Sequence, residues 1–161
     1  MTIKVALAGA GAFGIKHLDG IKNIADVEVI SLISRDQSKT DEVAARYGIA
    51  HTSTKLEDAL AIKEVDAVIL CTPTQMHAGQ TLACLDAGKH VEVEIPMCDV
   101  FADSQKIIER QQATGLVAMC GHTRRFNPSH QWIHKKIAAG DFNIQQMDVQ
   151  TYFFRRTNMN A

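Results

Sequence analysis

Residues Val5-Ala6-Leu7-Ala8-Gly9-Ala10-Gly11-Ala12-Phe13-Gly14 read as an apolar strand running directly into a Gly-x-Gly-x-x-Gly turn. In a strand–helix–strand unit this turn is where the pyrophosphate of a dinucleotide rests. Gly9 permits the tight turn, Gly11 lets the backbone approach the phosphates, and Gly14 lets the next helix come close to the strand. Ala12 and Phe13 open that helix, whose unpaired amides and dipole favour an anion. Glycine-rich turns also recur by chance. This one gains weight from the apolar strand before it, the helical spacing after it and a second apolar strand about 20 residues on.

Outward from the turn, strands are expected at 2–8, 27–33, 66–71, 89–94 and 116–120, with a shorter one near 49–51. These runs of Val, Ile, Ala and Leu suit a parallel sheet covered on both faces. Helical spacing shows at Ile15, Leu18, Ile21 and Ile24, and at Val43, Ala44 and Tyr47 ahead of Gly48. Leu56, Ala59 and Leu60 suggest a short helix, and 75–87 and 99–114 end at Gly88 and Gly115, both plausible helix stops. The alternation predicts an α/β fold, a Rossmann-type doubly wound parallel sheet.

The order of elements changes near Gly121. Residues 1–121 form the expected dinucleotide-binding domain, and 122–142 a connecting loop and helix packed on it, the helix spanning 128–139 from Pro128. Residues 143–161 begin a second, α+β domain, of which Gln146–Phe154 reads as the first long strand. Such an aromatic strand without a neighbour would expose a hydrophobic edge. Either the chain is the front part of a longer, truncated protein, which is the reading taken, or this edge pairs with another chain.

A chain of 161 residues with 46% hydrophobic content can bury one sizeable core. The formal net charge of −1 gives no reason to expect nucleic acid or a membrane surface as partner. No apolar run approaches the roughly 20 residues of a membrane span, and no targeting segment is visible, so the cytoplasm is the expected location. Cys71, Cys84, Cys98 and Cys120 lack a C-x-x-C pair and are expected to be small buried hydrophobes. His17, His51, His90, His130 and His134 share no metal-ligand spacing with a carboxylate or Cys. No metal site is expected, and packing or solvated roles are assigned to them.

Coenzyme choice is read at the end of the second strand, where a carboxylate would bind a free ribose 2′-OH. Ser34 and Arg35 stand there instead. A hydroxyl and a guanidinium suit a 2′-phosphate, favouring NADP, with NAD as the alternative. Asp36 follows one residue late and reads as the N-cap of a helix over 37–47.

Cys71-Thr72-Pro73-Thr74-Gln75-Met76-His77, Ala87-Gly88-Lys89-His90-Val91 and Glu94-Ile95-Pro96, in this order behind the glycine turn, resemble the Gfo/Idh/MocA oxidoreductase family. The resemblance implies that Cys71, Thr72, Pro73 and His77 lie beside the nicotinamide half of the coenzyme. It further implies that Glu94 orders the nicotinamide ribose or its water, although a solvent-facing strand-end carboxylate is the competing reading. Where the family commonly has Glu-Lys-Pro, Ile95 offers no ionisable group, so the lysine's role does not carry over. Full-length members continue into a substrate and dimerisation domain, which implies a homodimeric parent.

A narrower likeness within the family runs through Gly121–Gln131 and Gln150–Asn158. It implies NADP-linked oxidation of a carboxylated cyclic hemiacetal, an aromatic ring-cleavage product, to 2-pyrone-4,6-dicarboxylate. That chemistry needs a proton acceptor, for which His122 is the local candidate, and cations for the substrate carboxylates, for which Arg124 and Arg125 are placed. His122 also reads as an ordinary loop histidine, and Arg125 as an anchor for the following helix. A sugar or inositol dehydrogenase of the same family, and a non-catalytic nucleotide-binding protein, are the alternative functions.

Overall fold

The computed structural model describes residues 2–150 and 152. The chain divides into two compact units, Met1–His122 and Thr123–Ala161.

The first unit runs β1 (Ile3–Ala8), α1 (Ala12–Ile21), β2 (Val27–Ile33), α2 (Gln37–Tyr47), β3 (His51–Ser53) and α3 (Leu56–Leu60). It continues β4 (Ala67–Leu70), α4 (Thr74–Asp86), β5 (His90–Val93), α5 (Phe101–Thr114) and β6 (Ala118–Cys120). The six strands form one sheet in the order β3-β2-β1-β4-β5-β6, every pair parallel. The chain builds outward from β1 through β2 and β3, then returns to β4 on the other side. The crevice at such a reversal is where open α/β sheets bind ligands.

Alternation along β1 explains why Val5–Ala8 are all apolar. Leu7 belongs to a core cluster with Leu18, Leu32, Ala44 and Ile49. Its neighbours Ala6 and Ala8 belong to the other cluster, with Val68, Leu70, Leu85, Val91 and Val93. Both faces of the sheet are thus covered, and each fully buried leucine contributes about 1.5–3 kcal/mol.

Two expectations shift for local reasons. The third strand begins at His51 rather than Ile49, because Ile49 closes the end of α2. Gly48 sits at φ 71°, its N–H donates to Ala45 O, and the Ile49 N–H donates to Ala44 O at 2.9 Å. That double bond is the Schellman arrangement, with Ile49 supplying the hydrophobic contact. Ile24 falls beyond the end of α1 and is exposed, so only Gly14 and Leu18 carry that helix's buried face. Of the cysteines, Cys84 alone is buried; Cys71, Cys98 and Cys120 are half-buried and free.

In the second unit a 3₁₀ turn, Thr123–Phe126, leads into α6 (Pro128–Ala138). Asn127 caps this helix by accepting from the Ser129 N–H at 3.0 Å, and Pro128 fills the first position, where no N–H is needed. Gln146–Gln150 is not a strand. A strand exists through hydrogen bonds to a neighbour, and none of the described residues in this unit forms one. The rest of the expected strand, apart from Tyr152, lies outside the described residues.

Lys89 fixes the corner between α3 and the start of β5. Its buried ammonium donates to three carbonyls, Val65 O at 2.7 Å, Ile62 O at 3.0 Å and Lys63 O at 3.4 Å. Replacing it with Met leaves those acceptors without their donor. Lys89→Met is expected to cost about 1–3 kcal/mol in urea unfolding; an unchanged midpoint would show that the ammonium is dispensable.

Candidate functional site

The turn after β1 is held by close approach on two sides. Gly9 has φ 113°, donates its N–H to Ile33 O at 2.7 Å, and leaves no room for a side chain. A Cβ there would stand 2.4 Å from Cys71 O, at the end of β4. A Cβ on Gly14 would lie 1.8 Å from Gly9 O, so α1 starts against its own turn. Gly11 differs: a Cβ there would meet nothing within 4 Å. The first bond of α1 runs from Ile15 N–H to Gly11 O, so the amides of Ala12, Phe13 and Gly14 have no partner four residues back within the helix. No acidic side chain occupies this first turn. The arrangement is that of an anion site.

Gly9 and Gly11 line a cleft of about 740 Å³ with Ser34 and Arg35 after β2 and with Cys71, Thr72 and Pro73 after β4. Its volume suits a small-molecule ligand. Asp36 and Lys39 line it too. Asp36 caps α2 by accepting from the Lys39 N–H at 3.2 Å, and that bond holds its carboxyl below the usual range. Lys39, whose Nζ lies 3.5 Å from Asp36 Oδ2, brings a second cation to the lining of the cleft.

His77 lies beneath the cleft rather than in it. Only 1% exposed, it sets Nε2 against Thr72 O at 2.7 Å and Nδ1 against Pro96 O at 2.8 Å. Each ring nitrogen faces a carbonyl oxygen, one on either loop. The side chain is a strut between the loops after β4 and β5. Thr72 is further fixed by its hydroxyl, which donates to Gln80 Oε1 at 2.5 Å.

Glu94 does not face solvent. Its Oε1 lies 2.7 Å from His17 Nε2 on α1, and Cys71 Sγ joins them, the three donor atoms lying within 4.8 Å of one another. The fold thus gives His17 a carboxylate and a thiol that no sequence spacing announces. Glu92, also unmarked by sequence, buries its carboxyl two residues before Glu94, on β5. Burial pushes that carboxyl up, and its Oε2 has no hydrogen-bond partner. A Cβ on Gly121 would touch Glu92 Oε1 and make that carboxylate shift. Burial, then Glu92 and Glu94, raise the Cys71 thiol to about 12; burial alone raises Cys84 to about 12.

His122 is exposed at the end of the first unit, its N–H bonded to Cys120 O. In the second unit Arg124 and Arg125 line a hollow of about 620 Å³ with His130, His134 and Lys135. His130 and His134, read from sequence as solvated or packing residues, are exposed and line the same hollow. His130 Nδ1 is 3.0 Å from Arg124 O.

A parallel sheet with a glycine turn at its reversal point, orphan helix amides and a cleft across the strand ends defines a dinucleotide-binding Rossmann domain. Residues 3–122 match the profile described as "Oxidoreductase family, NAD-binding Rossmann fold", and 128–161 that of "Bacterial oxidoreductases, C-terminal". The chain belongs to the Gfo/Idh/MocA oxidoreductase family, and with it binds a nicotinamide dinucleotide, NAD or NADP. It is 65% identical over 159 residues to 4-carboxy-2-hydroxymuconate-6-semialdehyde dehydrogenase of Sphingobium sp. strain SYK-6, covering 99% of this chain and 50% of that protein. It is 33% identical over 141 residues to inositol 2-dehydrogenase of Rhodococcus erythropolis, covering 86% and 41%. The scyllo-inositol dehydrogenase of Lactobacillus casei, solved with NAD(H) and scyllo-inositol, shares the fold with a TM-score of 0.84 at 24% identity, covering 88% and 42%. The chain spans half or less of the length of these relatives. Among the described residues, no helix is long and apolar enough to cross a membrane.

The two glycines make a paired test. Gly14→Ala is expected to lose about 1–3 kcal/mol of stability, because its methyl meets backbone. Gly11→Ala is expected to leave the unfolding midpoint unchanged while its methyl weakens dinucleotide binding. Equal destabilisation in urea titrations would contradict this division of roles.

Proposed function

We propose that this chain is the coenzyme-binding part of an NADP-dependent dehydrogenase. Its substrate is the hemiacetal of 4-carboxy-2-hydroxymuconate-6-semialdehyde, and its product 2-pyrone-4,6-dicarboxylate. The observation that carries the reading is the 65% identity to the Sphingobium semialdehyde dehydrogenase over 99% of this chain. On this reading 1–121 is the coenzyme domain, 122–142 the connection, and 143–161 the start of a substrate and dimerisation domain in a cytoplasmic homodimer.

NADP is preferred because Ser34, Arg35 and Lys39 gather at the end of β2, where the 2′-phosphate would meet them. Asp36, the nearby carboxylate, is engaged by the helix it caps. The amides of Ala12, Phe13 and Gly14 hold the pyrophosphate, with Gly9 and Gly11 clearing its approach. Thr72 and Pro73, set by the His77 strut, flank the nicotinamide end, and Cys71 and Glu94 complete that wall.

When bound, the nicotinamide supplies the hydride acceptor. The chain's own residues do the rest. Arg124 and Arg125 bind the substrate carboxylates through charge-assisted hydrogen bonds. His122 takes the hemiacetal hydroxyl proton as the carbonyl of the lactone forms.

Arg35→Ala is expected to weaken NADP⁺ about 10–100-fold, the loss of one charge-assisted contact, and NAD⁺ much less. Titration calorimetry on the full chain reads both, and equal losses would overturn the NADP assignment. Turnover of the semialdehyde by the native gene product, set against a panel of inositols and aldoses, tests the substrate. Activity confined to the polyols would reject it in favour of the inositol dehydrogenase reading.

A further inference from the structure

We infer that His17 Nε2, Cys71 Sγ and Glu94 Oε1 form a binding site for one divalent transition-metal ion of the zinc class. The three donors come from three separate elements: α1, the end of β4 and the end of β5. Imidazole, thiolate and carboxylate are together a zinc-type set, and three protein ligands leave a fourth position open to water or an anion. A sulfur ligand disfavours magnesium and calcium, which take oxygen.

The backbone under the cluster is fixed before any ion arrives. Cys71 N–H donates to Ala8 O at 2.7 Å, and Glu94 N–H donates to Leu70 O at 3.0 Å, each extending the sheet by one bond. Tetrahedral coordination with bonds of about 2.0–2.3 Å sets donors roughly 3.4–3.8 Å apart. His17 and Glu94 now stand at 2.7 Å and the widest separation within the cluster is under 4.8 Å. Side-chain movements of about 1 Å close the geometry.

Ile95 beside Glu94 is apolar and brings no competing ammonium. On binding, the Cys71 S–H bond breaks, its proton passes to solvent, and a sulfur–metal bond forms. The proton held between His17 Nε2 and Glu94 Oε1 passes to solvent or moves to His17 Nδ1, and each of the two atoms then forms one metal bond. Because Cys71 also lines the cleft, the ion would stand in the cleft wall. The site itself does not depend on which dinucleotide the cleft holds.

Cobalt(II) titrated into the full chain without coenzyme tests this by visible and near-ultraviolet absorption. One ion per chain is expected, with tetrahedral ligand-field bands and a thiolate-to-cobalt charge-transfer band. Zinc should displace it and magnesium should not. Cys71→Ser should abolish the charge-transfer band, and Glu94→Gln should weaken binding roughly tenfold or more. Cys98→Ser should keep the band, since that thiol is turned to Val100 O. Absence of the band, a purely octahedral spectrum, or its survival in Cys71→Ser would overturn the proposal. If circular dichroism shows Cys71→Ser unfolded, undiminished cobalt affinity in Glu94→Gln overturns it instead.

Discussion

The contact between the first turn and the end of β4 is the constraint on which the site rests. Gly9 lies against the Cys71 carbonyl and Gly14 against Gly9, so the start of α1 is wedged into the point where the sheet reverses direction. Two consequences come from the one packing requirement. Helix amides are delivered to the carboxyl ends of the strands, where an anion can reach them. The same helix carries His17 across to the loop after β5, where it meets Glu94.

The loops that follow β4 and β5 are joined by side chains rather than by sheet. His77 reaches a carbonyl on each, and with Thr72 bonded to Gln80 it sets the far wall of the cleft. A polar group buried this deeply is tolerated because both of its nitrogens face main-chain carbonyls. Placement of the cleft residues is therefore a property of the folded unit, carried by main-chain carbonyls that any sequence would provide. The identity of residue 77 matters because its two ring nitrogens reach both loops at once.

Much of the fold was legible because each interior strand is a short apolar run and each helix carries its own spacing. The Gly9–Gly14 turn was legible for the same reason: all its parts lie within six residues. Position 36 could be assigned as a cap because Asp before a helix has a local meaning, and the bond to Lys39 N–H bears that out. Where reading failed, the deciding partner was remote or the pattern was ambiguous. His17 and Glu94 are 77 residues apart, and nothing in either neighbourhood points to the other. Glu92 sits in His-Val-Glu-Val, where alternation marks it as an outward polar residue although its carboxyl is buried. Ile49 looked like a strand residue because capping and strand entry both call for an apolar side chain. Gln146–Gln150 has strand composition, yet composition cannot supply the neighbour a strand requires.

The lengths of the strands carry one more implication. β1 and β2 in the interior have six and seven residues, whereas β3 and β6, the outermost two, have three each. The sheet tapers toward both margins, so little open ladder remains for a stranger's backbone to extend. A fold assembled from such sticky interior segments is in this way guarded against runaway self-association by the brevity of its borders.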